Sequence, residues 1–167
     1  EMCPEALVAR WDLPHHQIFN TYGPTETTVT SSLARVYANE PVTIGVPLPN
    51  YGMLVLNDQL ELLAQGEVGE LCVKGPGVMT CYYNDPKATA ATLRDGWLLT
   101  GDMAMADEEG FIFLVDRKKD VIITGGENLY PVQIENFLSA HPDVKDVAVI
   151  GLPDKRLGEI AAAIIEV

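Results

Sequence analysis

From Thr27 to Val115 the chain alternates short β-prone apolar runs with clusters of turn-forming residues. Thr27–Val36, Val42–Val46, Met53–Leu56, Leu60–Leu63, Glu70–Lys74, Trp97–Thr100 and Phe111–Val115 read as strands. Pro47-Leu48-Pro49-Asn50, Asn57-Asp58, Gln65-Gly66, Gly75-Pro76-Gly77 and Asp107-Glu108-Glu109-Gly110 read as the turns between them. Strands punctuated in this way predict a small barrel or sandwich. One helix interrupts them: Asp85 is a good N-cap and Pro86 a good first residue, so Lys87–Leu93 should be helical until Asp95-Gly96 stops it.

The flanks follow other patterns. A helix starting at Pro4 precedes a short strand, Gln17–Thr21, which runs into a turn forced by Gly23-Pro24. Ligands of α/β proteins bind at such strand ends, so Tyr22, Thr25 and Glu26 form a candidate site. The bland reading is a turn with polar decoration, with Tyr22 a core aromatic capped through its hydroxyl. Beyond Lys119 come strand Val121–Ile123, a glycine turn, a helix from Pro131 to about Ala140, and strands Val147–Leu152 and Ile160–Val167. Ile134, Phe137 and Leu138 fall at helical spacing, on one expected inner face. The whole reads as mixed α/β and α+β.

Between Phe111–Val115 and Val121–Ile123 lies the charge cluster Asp116-Arg117-Lys118-Lys119-Asp120. Burying five consecutive charges without partners would cost several kcal/mol per ion, which predicts an exposed connection and a domain junction. The cluster is either a solvated turn or a site for an anion. Three of the chain's 11 basic residues gather there, although the formal net charge is −13.

The 167 residues suffice for one ordinary domain or two small ones, and a hydrophobic content of 47% excludes general disorder. The net negative charge repels nucleic-acid phosphates, and basic–aromatic interleaving is absent, so no nucleic acid is expected as a partner. No apolar run approaches the roughly 20 residues of a membrane span, and Glu1 opens no signal-peptide pattern. These features lead to the expectation of a cytoplasmic protein. Cys3, Cys72 and Cys81 are expected as reduced thiols, and with His15, His16 and His141 they lack the spacing of a protein-held metal site.

Three motifs, taken in order, carry a family resemblance: Asn20-Thr21-Tyr22-Gly23-Pro24-Thr25-Glu26, Leu99-Thr100-Gly101-Asp102, and Asp116–Asp120 leading to Gly125-Gly126-Glu127-Asn128. Together with Gly69–Gly75 and Asp85–Thr89 they resemble the adenylate-forming (AMP-binding) superfamily of acyl-CoA synthetases, luciferases and peptide-synthetase adenylation domains. The resemblance spans essentially the whole chain. Gly-Gly-Glu-Asn-Leu-Tyr-Pro at 125–131 is most similar to acyl-CoA synthetases.

The resemblance implies a nucleotide site for ATP/AMP. In it Tyr22, beside Gly23, offers a flat face to adenine, Thr25 a hydroxyl to the α-phosphate, and Glu26 a hard oxygen to the Mg²⁺ that ATP carries. Thr25 and Glu26 are the catalytic candidates. Asp102 matches the family's ribose-binding carboxylate, and Arg117 its ribose- and phosphate-contacting guanidinium. Lys119 matches the hinge between the large and small domains, and Gly125-Gly126 the loop bordering the channel for the pantetheine arm of coenzyme A. The implied layout is a large-domain part at 1–116, comprising the end of an α/β sheet at 1–36 and a β-barrel at 37–116. A small, mobile α+β domain follows at 117–167.

The implied activity is AMP-forming ligation of a carboxylic acid, fatty acids included, to CoA. Loading of an amino or aryl acid onto a carrier protein and a non-catalytic nucleotide-binding remnant remain open alternatives. The family's phosphate loop and its late catalytic lysine are absent from these 167 residues, so the chain is expected to need the remainder of a parent chain and to be inactive alone.

Overall fold

The computed structural model describes residues 3–167; Glu1 and Met2, and with them the reading of the chain's first residues, lie outside these. The described chain forms two compact units, one ending at Leu114 and the other spanning Val115–Val167. No helix among the described residues is long and apolar enough to cross a membrane.

In the first unit, helix α1 (Glu5–Trp11) buries Val8 against Ala34 and Val36, the inward positions of an alternating strand. That strand, β2 (Ser32–Val36), pairs antiparallel with β1 (Ile18–Tyr22) and with β3 (Val46–Pro47). The long strand expected from Thr27 begins only at Ser32. Ahead of it Thr25–Thr27 is a 3-10 helix, and the N–H of Thr30 bonds to the Thr28 carbonyl across Val29 at φ +72°. A β-branched residue there is strained, and the turn redirects the chain away from β geometry.

The second sheet contains β4 (Gly52–Leu56), β5 (Gly69–Lys74), β6 (Leu93–Arg94), β7 (Trp97–Ala106) and β8 (Ile112–Arg117), in the order β4-β5-β7-β6 with β8 also on β7. Leu71 and Val73 of β5 are fully buried and form the core cluster with Ile44, Val55, Ala104 and Ile112, against which Tyr22 packs. Fully burying one such aliphatic side chain contributes about 1.5–3 kcal/mol. Residues 60–63 do not form the expected strand. The Asn57 side-chain oxygen accepts the N–H groups of Gln59 and Glu61, each at 2.9 Å, and this turn takes the donors a ladder would use. Val42–Val46 contributes only its last residue to β3. Helix α2 (Pro86–Thr92) starts as its sequence dictates, with Asp85 accepting the Ala88 N–H at 2.8 Å.

In the second unit, β9 (Ile122–Thr124), β10 (Glu127–Leu129), β11 (Asp146–Asp154) and β12 (Gly158–Glu166) form an antiparallel sheet in the order β10-β9-β12-β11. Helix α3 (Pro131–Ser139) packs on β11. Its inner side carries the buried Pro131 and the half-buried Ile134 and Leu138, whereas Phe137, expected among them, is 80% exposed. A stripe at 131, 134 and 138 leaves position 137 outside it.

The charge cluster also departs from expectation. Arg117–Asp120 is exposed, but Asp116 is buried within β8. Its carboxylate accepts the N–H of Arg117 at 2.7 Å and that of Val132 at 3.0 Å, so the ion is hydrogen-bonded rather than bare. Val132 lies in the first turn of α3, whose own N-cap, Tyr130, supplies no side-chain bond. Asp116 caps that helix from a distant segment.

Candidate functional site

Tyr22 ends β1, and its hydroxyl donates to Asp102 Oδ2 at 2.6 Å. Residues from two motifs 80 positions apart thus meet in the first unit. Asp102 is displayed by an irregularity in β7. Cys72 pairs with Leu99 and Glu70 with Met103, so Leu71 alone stands opposite Thr100, Gly101 and Asp102. Gly101, at φ +73°, supplies the backbone conformation for this bulge. The Thr100 hydroxyl donates to the Leu71 carbonyl at 2.7 Å, and the Gly101 N–H donates to the buried Glu70 carboxylate at 3.1 Å. The strand expected to stop at Thr100 therefore continues to Ala106, with the candidate aspartate at its kink.

Beyond Tyr22, Gly23-Pro24 leads into the 3-10 helix carrying Thr25 and Glu26. Thr25 is exposed and Glu26 half-buried. A Cβ on Gly23 would stand 2.7 Å from the Val29 carbonyl oxygen, so this backbone approach requires glycine. Glu26 Oε1 accepts the Tyr82 hydroxyl at 2.7 Å, and the Glu26 carbonyl accepts the Met79 N–H, also at 2.7 Å. This hydrogen bond and the carboxylate's charge push the Tyr82 phenol above its usual pKa, with partial burial adding to the effect. Sequence reasoning missed Tyr82 and Glu70, because each acquires its partner only through long-range folding.

Among the described residues no group of three or more His, Cys, Asp or Glu side chains is placed to hold a metal ion. A single carboxylate such as Glu26 fits a Mg²⁺ whose other ligands are phosphate oxygens and water. Cys72 is buried in β5, where its thiol donates to the Glu70 carbonyl, and Cys81 is exposed.

Arg117, Lys119, Gly125 and Gly126 belong to the second unit. Arg117 ends β8, and Lys119 is the exposed centre of a 3-10 turn, Lys118–Asp120. Gly125 and Gly126 form the two-residue turn between Thr124 and Glu127, with φ +59° and +90°. Positive φ at both central positions is what such a hairpin demands, so the turn alone accounts for both glycines. The Gly125 N–H is tied to the Leu157 carbonyl at 2.8 Å. A cavity of about 360 Å³ in this unit has Lys119, Asp116, Asp120, Glu135 and Glu159 in its wall. Three of those carboxylates hold backbone N–H groups, of Val132, Val149 and Ile123 respectively for Asp116, Glu135 and Glu159.

Residues 1–83 match the family model described as AMP-binding enzyme, and residues 133–167 match the AMP-binding enzyme C-terminal domain. A long-chain-fatty-acid–CoA ligase of Bacillus subtilis is 44% identical, over 86% of this chain and 26% of its own length. Delta-poly-L-ornithine synthetase of Acinetobacter baumannii is 45% identical, over 98% of this chain and 13% of its own. The structure of O-succinylbenzoate coenzyme A synthetase from Bacillus subtilis, in complex with ATP and magnesium ion, superposes with a TM-score of 0.88 and 34% identity. It covers 98% of this chain and 34% of the solved one. The chain thus spans about a third or less of the length of these relatives. On matches at both its ends and a shared fold throughout, the chain belongs to the adenylate-forming, AMP-binding enzymes.

Proposed function

We propose that the chain is part of an ATP-dependent acyl-CoA synthetase, which converts a carboxylic acid and ATP to an acyl-adenylate and pyrophosphate and then transfers the acyl group to the thiol of CoA. A carboxylate is a poor electrophile until one oxygen becomes part of a phosphoanhydride, so the residues that hold the nucleotide carry the first half of the reaction. The reading gives Tyr22 and Gly23 to adenine, Asp102 and Arg117 to the ribose and phosphate side, and Thr25 to the α-phosphate. Glu26 goes to the Mg²⁺ that ATP brings; bound there, the ion would offset charge developing on the phosphates. Gly125 and Gly126 border the CoA thiol's approach. In this layout 1–116 is large-domain sequence, with its barrel at 37–116, and 117–167 is a small domain turning about Lys119.

The observation that carries the proposal is the 2.6 Å bond between Tyr22 and Asp102, which gathers an aromatic face and a carboxylate at one place. Two carboxylate oxygens can accept from a 2′- and a 3′-hydroxyl together. The test is to supply the intact enzyme with ATP, Mg²⁺, CoA and carboxylic acids of graded length, then measure pyrophosphate and acyl-CoA. Pyrophosphate and thioester formed in equal amounts for at least one acid is the expected result. Adenylate formation with no transfer to free CoA would move the acceptor to a carrier protein, and neither product would make the chain a nucleotide-binding remnant. The 167 residues alone should release no pyrophosphate.

A further inference from the structure

The segment Met79–Tyr82 holds Glu26 at both its backbone and its side chain, through the Met79 N–H and the Tyr82 hydroxyl. Tyr82 is itself held by α2. Its N–H donates to Thr89 Oγ1 at 2.9 Å, and that hydroxyl in turn donates to the Asp85 carbonyl at 2.8 Å. A chain of contacts therefore runs from the Asp85 carbonyl through Thr89 and Tyr82 to Oε1 of Glu26. Helix α2 has no buried residue, so the polar contacts of its inner side outweigh its contribution to the core.

We propose that Tyr82 is a positioning residue for Glu26: its hydroxyl occupies one carboxylate oxygen and fixes the rotamer, leaving the other oxygen for a divalent cation carried by a nucleotide triphosphate. This rests on the reading of Glu26 as the protein's ligand to that cation. A glutamate has a soft terminal torsion, and a ligand held in one orientation loses less freedom when the cation arrives. Thr89 acts one step further out, by holding the Tyr82 backbone.

The experiment is calorimetric titration of the intact enzyme with ATP in the absence of acid substrate, with Mg²⁺ and with a chelator, and with metal-free AMP as a control. Tyr82→Phe should weaken Mg²⁺–ATP about 3–10-fold, the range of one hydrogen bond, while metal-free AMP affinity and the melting temperature stay unchanged. Thr89→Val, which removes the acceptor of the Tyr82 N–H, should show the same selectivity with a smaller loss, and it decides the matter if Tyr82→Phe does not fold. Glu26→Gln should remove the gain that Mg²⁺ brings, and adding Tyr82→Phe to it should cost nothing more. A full Mg²⁺ gain in Tyr82→Phe, with loss in Glu26→Gln, would overturn the role of Tyr82 and leave that of Glu26 standing. Equal weakening of Mg²⁺–ATP and metal-free AMP would also overturn it, by making Tyr82 a structural residue only. A full Mg²⁺ gain in Glu26→Gln would remove the reading of Glu26 itself.

Discussion

At the residue scale, Asp102 and Asp154 show how far a carboxylate's neighbours decide its task. In the intact enzyme Asp102→Ala should weaken ATP and AMP alike by about 1–3 kcal/mol, because both nucleotides present the same ribose hydroxyls. Tyr22→Phe, which keeps the ring and removes the hydroxyl bonded to Asp102, should cost less than Asp102→Ala for both. Calorimetry with each nucleotide checks this, and unchanged AMP affinity in Asp102→Ala would end the ribose assignment. Asp154 closes the turn between β11 and β12. Its carboxylate accepts the N–H groups of Leu157 and Arg156, each at 2.8 Å, and these bonds hold its pKa below the ordinary aspartate value. A lowered carboxyl pKa means that the stabilisation is present above the unfolded-state value and is lost as pH falls through the folded one. The amide shifts of Arg156 and Leu157 should therefore titrate together, with a midpoint below the usual aspartate range. A midpoint at the ordinary value would show that the two bonds do not persist in solution.

At the scale of elements, legibility followed the distance between partners. Asp85-Pro86 announced α2 because cap, proline and first turn are adjacent in sequence, and the cap bond to Ala88 is present. Asp116 was misread as exposed because its partner, the Val132 N–H, comes 16 residues later and belongs to a helix with no side-chain cap of its own. Tyr82 went unread for the same reason, since Glu26 lies 56 residues before it. Thr100-Gly101-Asp102 was legible as chemistry but not as geometry. A bulge depends on the partner strand, and nothing in the residues of β7 reports the register of β5. The cap at Asp116 gives a direct test. Asp116→Ala should destabilise the second unit by about 1–3 kcal/mol, and Asp116→Asn, which keeps an acceptor, by less. Denaturant unfolding measures both. Equal losses would mean that charge, rather than acceptance of the Val132 N–H, is what α3 requires.

At the scale of the whole molecule, the division after Leu114 falls inside β8, within a few residues of the cluster that the sequence marked as a junction. If the proposed hinge is at Lys119, a substitution there should separate the half-reactions. Proline fixes φ near −65° and restricts the residue before it, so Lys119→Pro in the intact enzyme should leave one arrangement of the domains accessible. Acyl-adenylate formation should persist while thioester formation falls by orders of magnitude, followed as single-turnover pyrophosphate release beside CoA consumption. Equal slowing of both would indicate general damage, and normal thioester formation would place the hinge elsewhere.

Helix α2, with no buried residue and with its inner side bonded to Tyr82, has a thermodynamic consequence. A seven-residue helix without an apolar anchor contributes little to the cooperative core and should open at a free energy well below that of global unfolding. Each opening would release Tyr82, and Glu26 would regain its rotational freedom while the sheets remain intact. Under mild denaturant the amides of Pro86–Thr92 that can exchange should therefore do so well before those of Leu71–Val73, and Mg²⁺-dependent nucleotide binding should fade with the former. Exchange of both segments at one common rate would show that α2 shares the stability of the core.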